Sequence, residues 1–501
     1  MNPTPSLFVF AAASALVISA CSGNDTSTYP REKLLDPATC KECHQSHYDE
    51  WSGSMHAYAS VDPVFRAMNQ RGQDEAMLGD FCVKCHAPMA VQEGATKDGT
   101  NLDSVPDSLQ GVTCYFCHQV SAVHGSSNAA LDLASDTTMR GEVADPVANR
   151  AHGSKYSTLH DDRSLDSSNL CGSCHDISVP AHFSGAVEDV ALERTYSEWQ
   201  GSLFATSKAP LTCSGCHFAT GTGGTIANYP GVKSNRTRHM HDFPGVDVAL
   251  TDFPKENTVA QKAAQRNAVE QLLTRAVALT VCANQNHLAR VTVENRGAGH
   301  GAPSGASADR RMWLEVEARN PSPDDPDGKV IFTSGAVPDG TPVVGFVDPD
   351  GTSPKVFRDT GLDAAGNPAH LFWKIASIVP GSLNAPVTSD TRDPRYHAVG
   401  DVVTLPAGGK AFSLPGFVFE SGSIRVTVHV RPVGLDVLDD LYSSPGASGD
   451  GTAVRAAMPT LDLLPNEGVP ATVEWTMAGA RTQGTSGSNG ELCVSSASVN
   501  F

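Results

Sequence analysis

The chain has 501 residues, which is long enough for two or three domains. Only 6% of its residues are aromatic, and it contains 45 glycines and 32 prolines, a composition typical of a loop-rich chain rather than of a densely packed helical enzyme. The formal charge is -19 and no basic stripe is present, so the composition argues against nucleic-acid binding and favours partners with basic surfaces.

The first 21 residues predict an export signal. The apolar run LFVFAAASALVISA has the length and composition of a signal peptide, and it is too short to serve as a mature transmembrane helix. The sequence ISAC resembles the lipobox of bacterial lipoproteins, which implies cleavage before Cys21 and lipidation of its sulfur. The n-region MNPTPS has no Lys or Arg, and a secretory signal without lipid is the alternative.

These features predict an exported protein in the periplasm or at the outer membrane or cell surface, attached through a lipid. Ser22 follows the cysteine, and the lipoprotein resemblance therefore points to the outer membrane. Residues 22–35 are predicted to form a polar tether.

Residues 36–250 contain five Cys-x-x-Cys-His motifs. On a helical turn, positions i, i+3 and i+4 share one face, so both thiols can bond to the vinyl groups of one porphyrin while the histidine binds its iron. The pattern predicts five covalently attached haem c groups. The motif residues are Cys40, Cys43 and His44; Cys82, Cys85 and His86; Cys114, Cys117 and His118; Cys171, Cys174 and His175; and Cys213, Cys216 and His217.

Two other uses of paired cysteines fit this pattern less well. Structural zinc needs four ligands per ion, so five pairs would leave one over and the histidine after each pair would be unexplained. A thioredoxin-type dithiol predicts one Cys-x-x-Cys rather than five.

Each iron has a second axial position, and the same region supplies candidate ligands for it. Eight histidines lie outside the motifs, whereas five haems need at most five, so there are enough for every iron to be bound by two histidines. The candidates are His47, His56, His124, His152, His160, His182, His239 and His241.

Three stretches are similar, in their order and in their residues, to stretches of multihaem cytochromes c. They are CKECHQSHYDEWSGSMHAYASVDPVF, FCVKCHAP and GVTCYFCHQVSAVHG. These cytochromes are the tetrahaem carrier of bacterial ammonia oxidation and the relatives of hydroxylamine oxidoreductase. The resemblance covers about 36–250. It implies that His56 crosses over to the third haem and that His124 serves the first.

The resemblance says less about the other three haems. His152 and His160 precede the fourth motif and are candidate ligands. The stretch RTRHMHDFPG resembles an element that follows the last haem in some relatives, which favours His241 over His239. His47 and His182 are reserve candidates for these axial positions. In the tetrahaem relative the second haem is five-coordinate, so the haem at the second motif is the expected open one.

Residues 251–283 are predicted to form a linker with one helix. Apolar residues recur at helical spacing through ENTVAQKAAQRNAVEQLLTRAVA, at 256–278, and Pro254 stands just ahead.

The sequence pattern changes over residues 284–501. Segments such as LARVTVE, MWLEVEA and SIRVTVHV alternate apolar and polar residues between Gly, Pro and Asp-Gly turns. We therefore predict an α + β multidomain chain, in which a mostly helical, loop-rich, haem-dense domain at 36–250 precedes an all-β, sandwich-like domain.

One element of this β domain also has a resemblance. The stretch VTVENRGAGHGAPSG is similar to an element of β domains appended to such cytochromes. His300 within it is either a structural hydrogen-bonding residue or a ligand that reaches a haem at the interface.

The two remaining cysteines, Cys282 and Cys493, lie far apart in the sequence. In an oxidising compartment a disulfide between them is the economical interpretation, and two buried free thiols are the alternative.

The function predicted first is electron transfer along a chain of mostly bis-His haems, with redox proteins as partners. The first alternative is an oxidoreductase that acts on a small nitrogen or sulfur species at one open haem, although no motif histidine is replaced by Lys as in related nitrite reductases. The second is a haem subunit of an extracellular conduit or filament, formed by self-association or within a larger complex. The sequence leaves catalysis uncertain.

Overall fold

The computed structural model describes residues 29–221, 225–255, 257–286, 288–388, 400–403, 412–413, 416–444, 449–463, 472–487 and 490–496. The predicted export signal and Cys21 lie outside these ranges. Within them the chain is a mixed α and β structure, with short helices before residue 221 and long strands after residue 277. No helix of the described ranges has the length and apolarity needed to cross a membrane.

Short helices and small two-stranded sheets build the N-terminal half. Its helices are α1 (Arg31–Leu34), α2 (Pro37–Lys41), α3 (Gln45–Ser52), α4 (Met55–Tyr58), α5 (Pro63–Ala76), α6 (Val83–His86), α7 (Pro88–Gln92), α8 (Cys114–Gln119), α9 (Leu165–His175), α10 (Ala181–Ser184), α11 (Thr195–Gln200), α12 (Leu203–Thr206) and α13 (Cys213–His217). Single 3-10 turns lie at Leu102–Ser104, Asp107–Leu109 and Thr158–His160. Its strands pair as β1 (Val120–Val123) with β2 (Leu131–Leu133), β3 (Thr138–Gly141) with β4 (Gly153–Tyr156), β5 (Asp176–Val179) with β6 (Val190–Arg194), and β7 (Thr220–Gly221) with β8 (Arg238–His239).

The end of the predicted polar tether packs on this half. Helix α1 lies within the predicted tether 22–35, and its Leu34 is buried in the same apolar cluster as Phe65. Arg31 also forms an ion pair with Glu93. The tether is therefore shorter than predicted, because this apolar residue and this charge both find partners.

Local sequence explains why the motifs are helical. Thr113 and Thr212 precede the third and fifth motifs, and each side chain accepts a hydrogen bond from a backbone N–H in the first turn. Ser164 caps α9, whose last turn is the fourth motif. Such caps satisfy N–H groups that the start of a helix leaves unpaired. These three motifs therefore each present two cysteines and a histidine from one short helical turn.

The predicted linker contains both a helix and a strand. Helix α14 (Val259–Leu273) begins at a capping box, in which the Thr258 hydroxyl accepts from the N–H of Gln261 while the Gln261 side chain accepts from the N–H of Thr258. The chain then enters strand β9 (Val277–Ala283), which is almost wholly buried. The sheet thus starts at Val277 rather than at residue 284, since β9 pairs along both edges and reads as a continuous apolar run.

Two sheets form the body of the C-terminal half. The strands that follow β9 are β10 (Leu288–Asn295), β11 (Arg311–Ser322), β12 (Asp325–Ser334), β13 (Val356–Phe357), β14 (Thr360–Leu362), β15 (Pro368–Ala369), β16 (Ser377–Val379), β17 (Gly400–Val403), β18 (Phe412–Ser413), β19 (Ser423–Arg431), β20 (Leu461–Asp462), β21 (Thr472–Thr476), β22 (Thr485–Ser486) and β23 (Leu492–Ser495). A 3-10 turn lies at Phe372–Lys374.

In the described residues, one sheet has the order β17-β10-β9-β23-β22, with β18 also on β10. The second has the order β12-β11-β19-β20, with β13 on β11 and β21 on β19, while β15-β14-β16 form a small separate sheet. Val281 and Val291 of the first sheet share an apolar core with Leu314 and Val428 of the second. The two large sheets therefore pack face to face, as in a sandwich.

This half is not all β, which corrects the sequence prediction. It also contains α15 (Leu435–Ser443), α16 (Gly451–Ala457) and α17 (Met477–Gln483). Leu435 and Leu438 of α15 pack in a cluster that Val64 of α5 joins, and the Tyr442 hydroxyl donates to the carbonyl oxygen of Pro63 at 3.0 Å. Helix α15 thus fastens the β domain to the motif-bearing half.

Strands β9 and β23 also bring the two remaining cysteines together. They pair in antiparallel register with Cys282 opposite Cys493. In the structure the two side chains are joined in a disulfide that bridges 211 positions of sequence.

Candidate haem-binding sites

Nine of the ten motif cysteines are half-buried, and Cys216 is exposed. Burial raises the pKa of the Cys82 and Cys117 thiols to about 12. Cys82 and Cys117 lie at the edge of an apolar cluster, as thiols that bond to an apolar macrocycle would.

Thiols of different motifs lie side by side. In three pairs, a thiol of one motif shifts the pKa of a thiol of another, so the first motif lies beside the third, the second beside the fourth and the fourth beside the fifth. The pairs are Cys40 with Cys114, Cys85 with Cys174, and Cys171 with Cys213. Cys117 of the third motif also lies near Cys174 of the fourth, whose charge raises its pKa after the larger effect of burial. The five motifs therefore form one contiguous cluster.

Four motif histidines are oriented by backbone carbonyl groups. In each, Nδ1 donates to a carbonyl oxygen: His44 to Ile226 at 2.7 Å, His86 to Ala59 at 3.0 Å, His118 to Arg140 at 2.5 Å and His217 to Pro244 at 2.7 Å. This arrangement leaves Nε2 as the free nitrogen, as in metal-binding histidines. Burial also lowers the pKa of all five, that of His118 to about 4, and so favours the neutral imidazole that binds iron.

Four motif histidines face a second histidine ring. The ring centres are 6.3 Å apart for His44 and His152, 5.6 Å for His118 and His160, 6.2 Å for His175 and His56, and 6.4 Å for His217 and His300. Two metal–nitrogen bonds of about 2.0–2.1 Å, plus about 1.1 Å from each nitrogen to its ring centre, separate two axial imidazoles by about 6.3 Å. Three of the four separations match this spacing.

Two of these rings also have an unsatisfied nitrogen. The Nδ1 atoms of His56 and His160 are buried and have no hydrogen-bond partner, whereas buried polar atoms are normally paired. In His160 the other nitrogen, Nε2, donates to the Cys117 carbonyl oxygen at 2.7 Å, and this pair has the short 5.6 Å spacing. The residues present therefore fit a haem, whose iron would supply a partner for these unpaired nitrogens.

The second motif is different. The ring of Phe65 lies flat against the face of His86, with ring centres 4.0 Å apart and planes 4° from parallel. In the described part of the chain, the ring contacts of His86 include no second histidine.

The structure places His56 and His124 differently from the family resemblance. His56 faces His175 of the fourth motif rather than His118 of the third. His124 is 59% exposed, and its Nε2 donates to Asp132 at 2.6 Å, because the pairing of β1 with β2 brings that aspartate beside it. The ring facing His44 is that of His152.

His241 and His47 are half-buried and pack against each other. Their ring centres lie 4.7 Å apart and perpendicular, and His241 also packs on Phe218. The backbone N–H of His241 donates to Glu50 at 2.9 Å, and burial lowers the pKa of His47 to about 3. His47 also contacts the motif histidine His44, with ring centres 5.9 Å apart and planes 72° from parallel. In the described residues the ring contacts of His241 include no motif histidine, although the sequence favoured His241 as a ligand.

His239 and His182 have other neighbours. Nε2 of His239 lies 3.5 Å from a carboxylate oxygen of Glu142 and 3.7 Å from one of Asp162. The ring of His182 packs against Phe183.

Residues 39–119 match the sequence model of the family described as "Cytochrome c554 and c-prime". The fold is similar to the crystal structure of a penta-heme cytochrome c552 from Thermochromatium tepidum, with a TM-score of 0.55 and 18% identity over 89% of this chain and 100% of that chain. No curated protein sequence matches this chain.

These findings support a multihaem c-type cytochrome. The family match spans the first three motifs and His56. The structural match extends over most of the chain, and at this identity it shows a shared fold. Among the site residues, sequence reasoning left His300 undecided, and its signal was the element GAGHGAPSG alone.

Proposed function

We propose that the chain is an exported pentahaem c-type cytochrome that carries electrons along a row of mostly bis-His haems. The observation that carries the proposal is that four of the five motif histidines face a second histidine ring. Iron bound on both sides by imidazole has no open position for a substrate, and haem iron supplies reversible one-electron transfer.

In this proposal each motif attaches one haem through its two thiols. His152 completes the first site, opposite His44. His160 completes the third site, opposite His118. The carbonyl groups that accept from Nδ1 of the motif histidines hold the imidazole rings in place and tune their basicity.

His56 completes the fourth site opposite His175 in this scheme. His56 belongs to the segment that also carries the first motif, so it would still bind the iron of a different haem. That haem is the fourth in this scheme, whereas the family resemblance implies the third. The ring spacing of 6.2 Å and the unpartnered Nδ1 of His56 support this assignment.

The thiol contacts support a particular order of sites. The first motif neighbours the third, the third neighbours the fourth, and the fourth neighbours the fifth, while the second lies beside the fourth. Such an order gives a row of four sites with one branch. Electron transfer along a row requires this kind of close succession.

The second site supports an alternative function at that branch. His86 has no facing histidine in the described residues, so an iron there would keep a free position. Glu193 lies close enough to raise the pKa of the Cys82 thiol slightly, and burial raises the pKa of Glu193 itself to about 7. An open iron beside a group able to exchange protons at neutral pH favours an oxidoreductase that acts on a small nitrogen or sulfur species.

Localisation and partners are part of the proposal. The apolar run before Cys21 supports export to the periplasm or outer membrane and a lipid anchor. The charge of -19 favours redox partners with basic patches, and a larger electron-transfer complex or filament is the alternative assembly.

Spin state tests the carrier proposal. Electron paramagnetic resonance of the oxidised, exported protein is expected to show low-spin iron for four haems, with high-spin iron confined to one. Carbon monoxide should then bind one reduced haem per chain. A high-spin signal from most of the iron would contradict electron transfer through bis-His sites, and a fully low-spin protein would remove the oxidoreductase alternative.

A further inference from the structure

We propose that the C-terminal β domain supplies the second axial ligand of the fifth haem through His300. The inference rests on the proposed function, because it needs a haem attached at Cys213 and Cys216. It gives the β domain a definite role: its docking completes the coordination of the last site in the row.

The geometry of the two rings carries this inference. His300 and His217 have ring centres 6.4 Å apart and planes 11° from parallel, close to the separation of about 6.3 Å worked out above for two axial imidazoles. Nδ1 of His217 donates to the Pro244 carbonyl oxygen at 2.7 Å, and Nδ1 of His300 donates to that of Gly301 at 2.9 Å. Both rings therefore keep Nε2 free.

The loop that carries His300 is shaped for this position. Gly299 has a φ of +74°, which favours glycine over residues with a side chain. A Cβ atom on Gly301 would lie 2.8 Å from a carboxylate oxygen of Glu198. The two glycines that flank His300 thus allow a left-handed turn and a close approach to the motif-bearing half.

Helix α11, which lies shortly before the fifth motif, forms hydrogen bonds with the same loop. Glu198 accepts hydrogen bonds from the Gly301 N–H at 2.9 Å and from the Ser304 hydroxyl at 2.7 Å. Thr195 accepts from the N–H of Gly305 at 3.0 Å and pairs with Ser304 at 2.8 Å. This half-buried set of contacts fixes the distance between the loop and the fifth motif.

The other end of the loop is fastened to the sheet. The side-chain amide of Asn295, at the end of β10, donates to the carbonyl oxygen of His300 at 2.6 Å. Arg310, just before β11, forms a two-pronged pair with Asp247 of the motif-bearing half at 2.9 and 3.0 Å. Because the ring is held from both halves, removing the imidazole should change one site without dismantling the others.

His300→Ala in the full-length holoprotein tests the inference. Intact mass should still show five haems, while electron paramagnetic resonance should show one more high-spin haem per chain than the wild type, and one more reduced haem should bind carbon monoxide. His429→Gln is the matched control, since it weakens the same β domain away from the interface and should leave the spin state unchanged.

The outcomes separate this inference from the proposed function. Five haems with an unchanged spin state would overturn the role of His300 and leave the carrier proposal standing. Fewer than five haems in the wild type, with free thiols at the fifth motif, would instead overturn the proposed function.

His300→Met decides the matter if the alanine variant does not fold. Methionine keeps a ligand but raises the potential of the haem it binds. One haem should then show a methionine–iron charge-transfer band and a higher potential, whereas an unchanged set of five potentials would overturn the inference.

Discussion

The β domain must stay folded to hold His300, and His429 is one residue that should make its stability depend on pH. His429 lies on β19, where Nδ1 contacts Asp462 at 2.6 Å and Nε2 contacts Glu315 at 2.9 Å. Its ring also packs against Trp313. Burial disfavours the charged imidazolium, yet the two carboxylates outweigh burial and raise the pKa of His429 to about 9.

This pKa sets both the sign and the size of the contribution that His429 makes to the free energy of unfolding. The folded-state pKa lies above the unfolded one, so the stabilisation is complete below pH 6.5 or so and is lost as the pH rises through 9. The difference from the ordinary value of 6.5 corresponds to about 3 kcal/mol at most. The side chains of Asp462 and Glu315 are 47% and 36% exposed, and solvent screening reduces the expected contribution to about 1–2 kcal/mol.

Calorimetric unfolding of wild type and His429→Gln at several pH values measures this contribution. At pH 6 the variant should unfold about 2–8 °C lower, since 1 kcal/mol shifts Tm by about 2–4 °C in a domain of this size. The difference should vanish near pH 10. Arg425→Gln, which removes an ion pair with Glu474 between β19 and β21 in which both side chains are 44% exposed, is the control and should cost little at either pH. A gap between wild type and His429→Gln that is equally large at pH 6 and pH 10 would refute the electrostatic reasoning.

Three further predictions follow from the site, the disulfide and the export signal. His56→Ala should leave all five haems attached but turn one low-spin haem high-spin with a raised potential, whereas His47→Ala should change the spectra much less; the reverse result would mean that the wrong histidine was chosen. Non-reducing peptide mapping should find Cys282 joined to Cys493, with a contribution of about 5 kcal/mol as an upper bound from the loop-entropy relation, and alkylation of both residues without reductant would exclude the bond. Cys21→Ser should move haem protein from the membrane fraction to the soluble one, and an unchanged distribution would count against lipidation.

The sequence was most informative where the chemistry is local. Two cysteines and a histidine within five positions specify a helical turn, and the caps at Thr113 and Thr212 come directly before it. The apolar alternation of β19 likewise indicated which side of that strand faces the core, since Val426, Val428 and Val430 are all buried.

The second ring at each site depends on tertiary structure. His152 and His300 lie far along the chain from the motif histidines that they face, and no spacing rule connects them. The resemblance assigned His124 to the first site, but the pairing of β1 with β2 leaves it exposed beside Asp132. Strand β9 was placed in the linker because an all-apolar run has no period that separates a strand from a helix.

Intact mass of the exported protein tests the central claim most directly, since every site depends on covalent attachment at its motif. We expect a single species that carries five haems, with Cys216 and the other nine motif thiols protected from alkylation after denaturation. A species with four or fewer haems and a free pair of thiols in any motif would contradict the account.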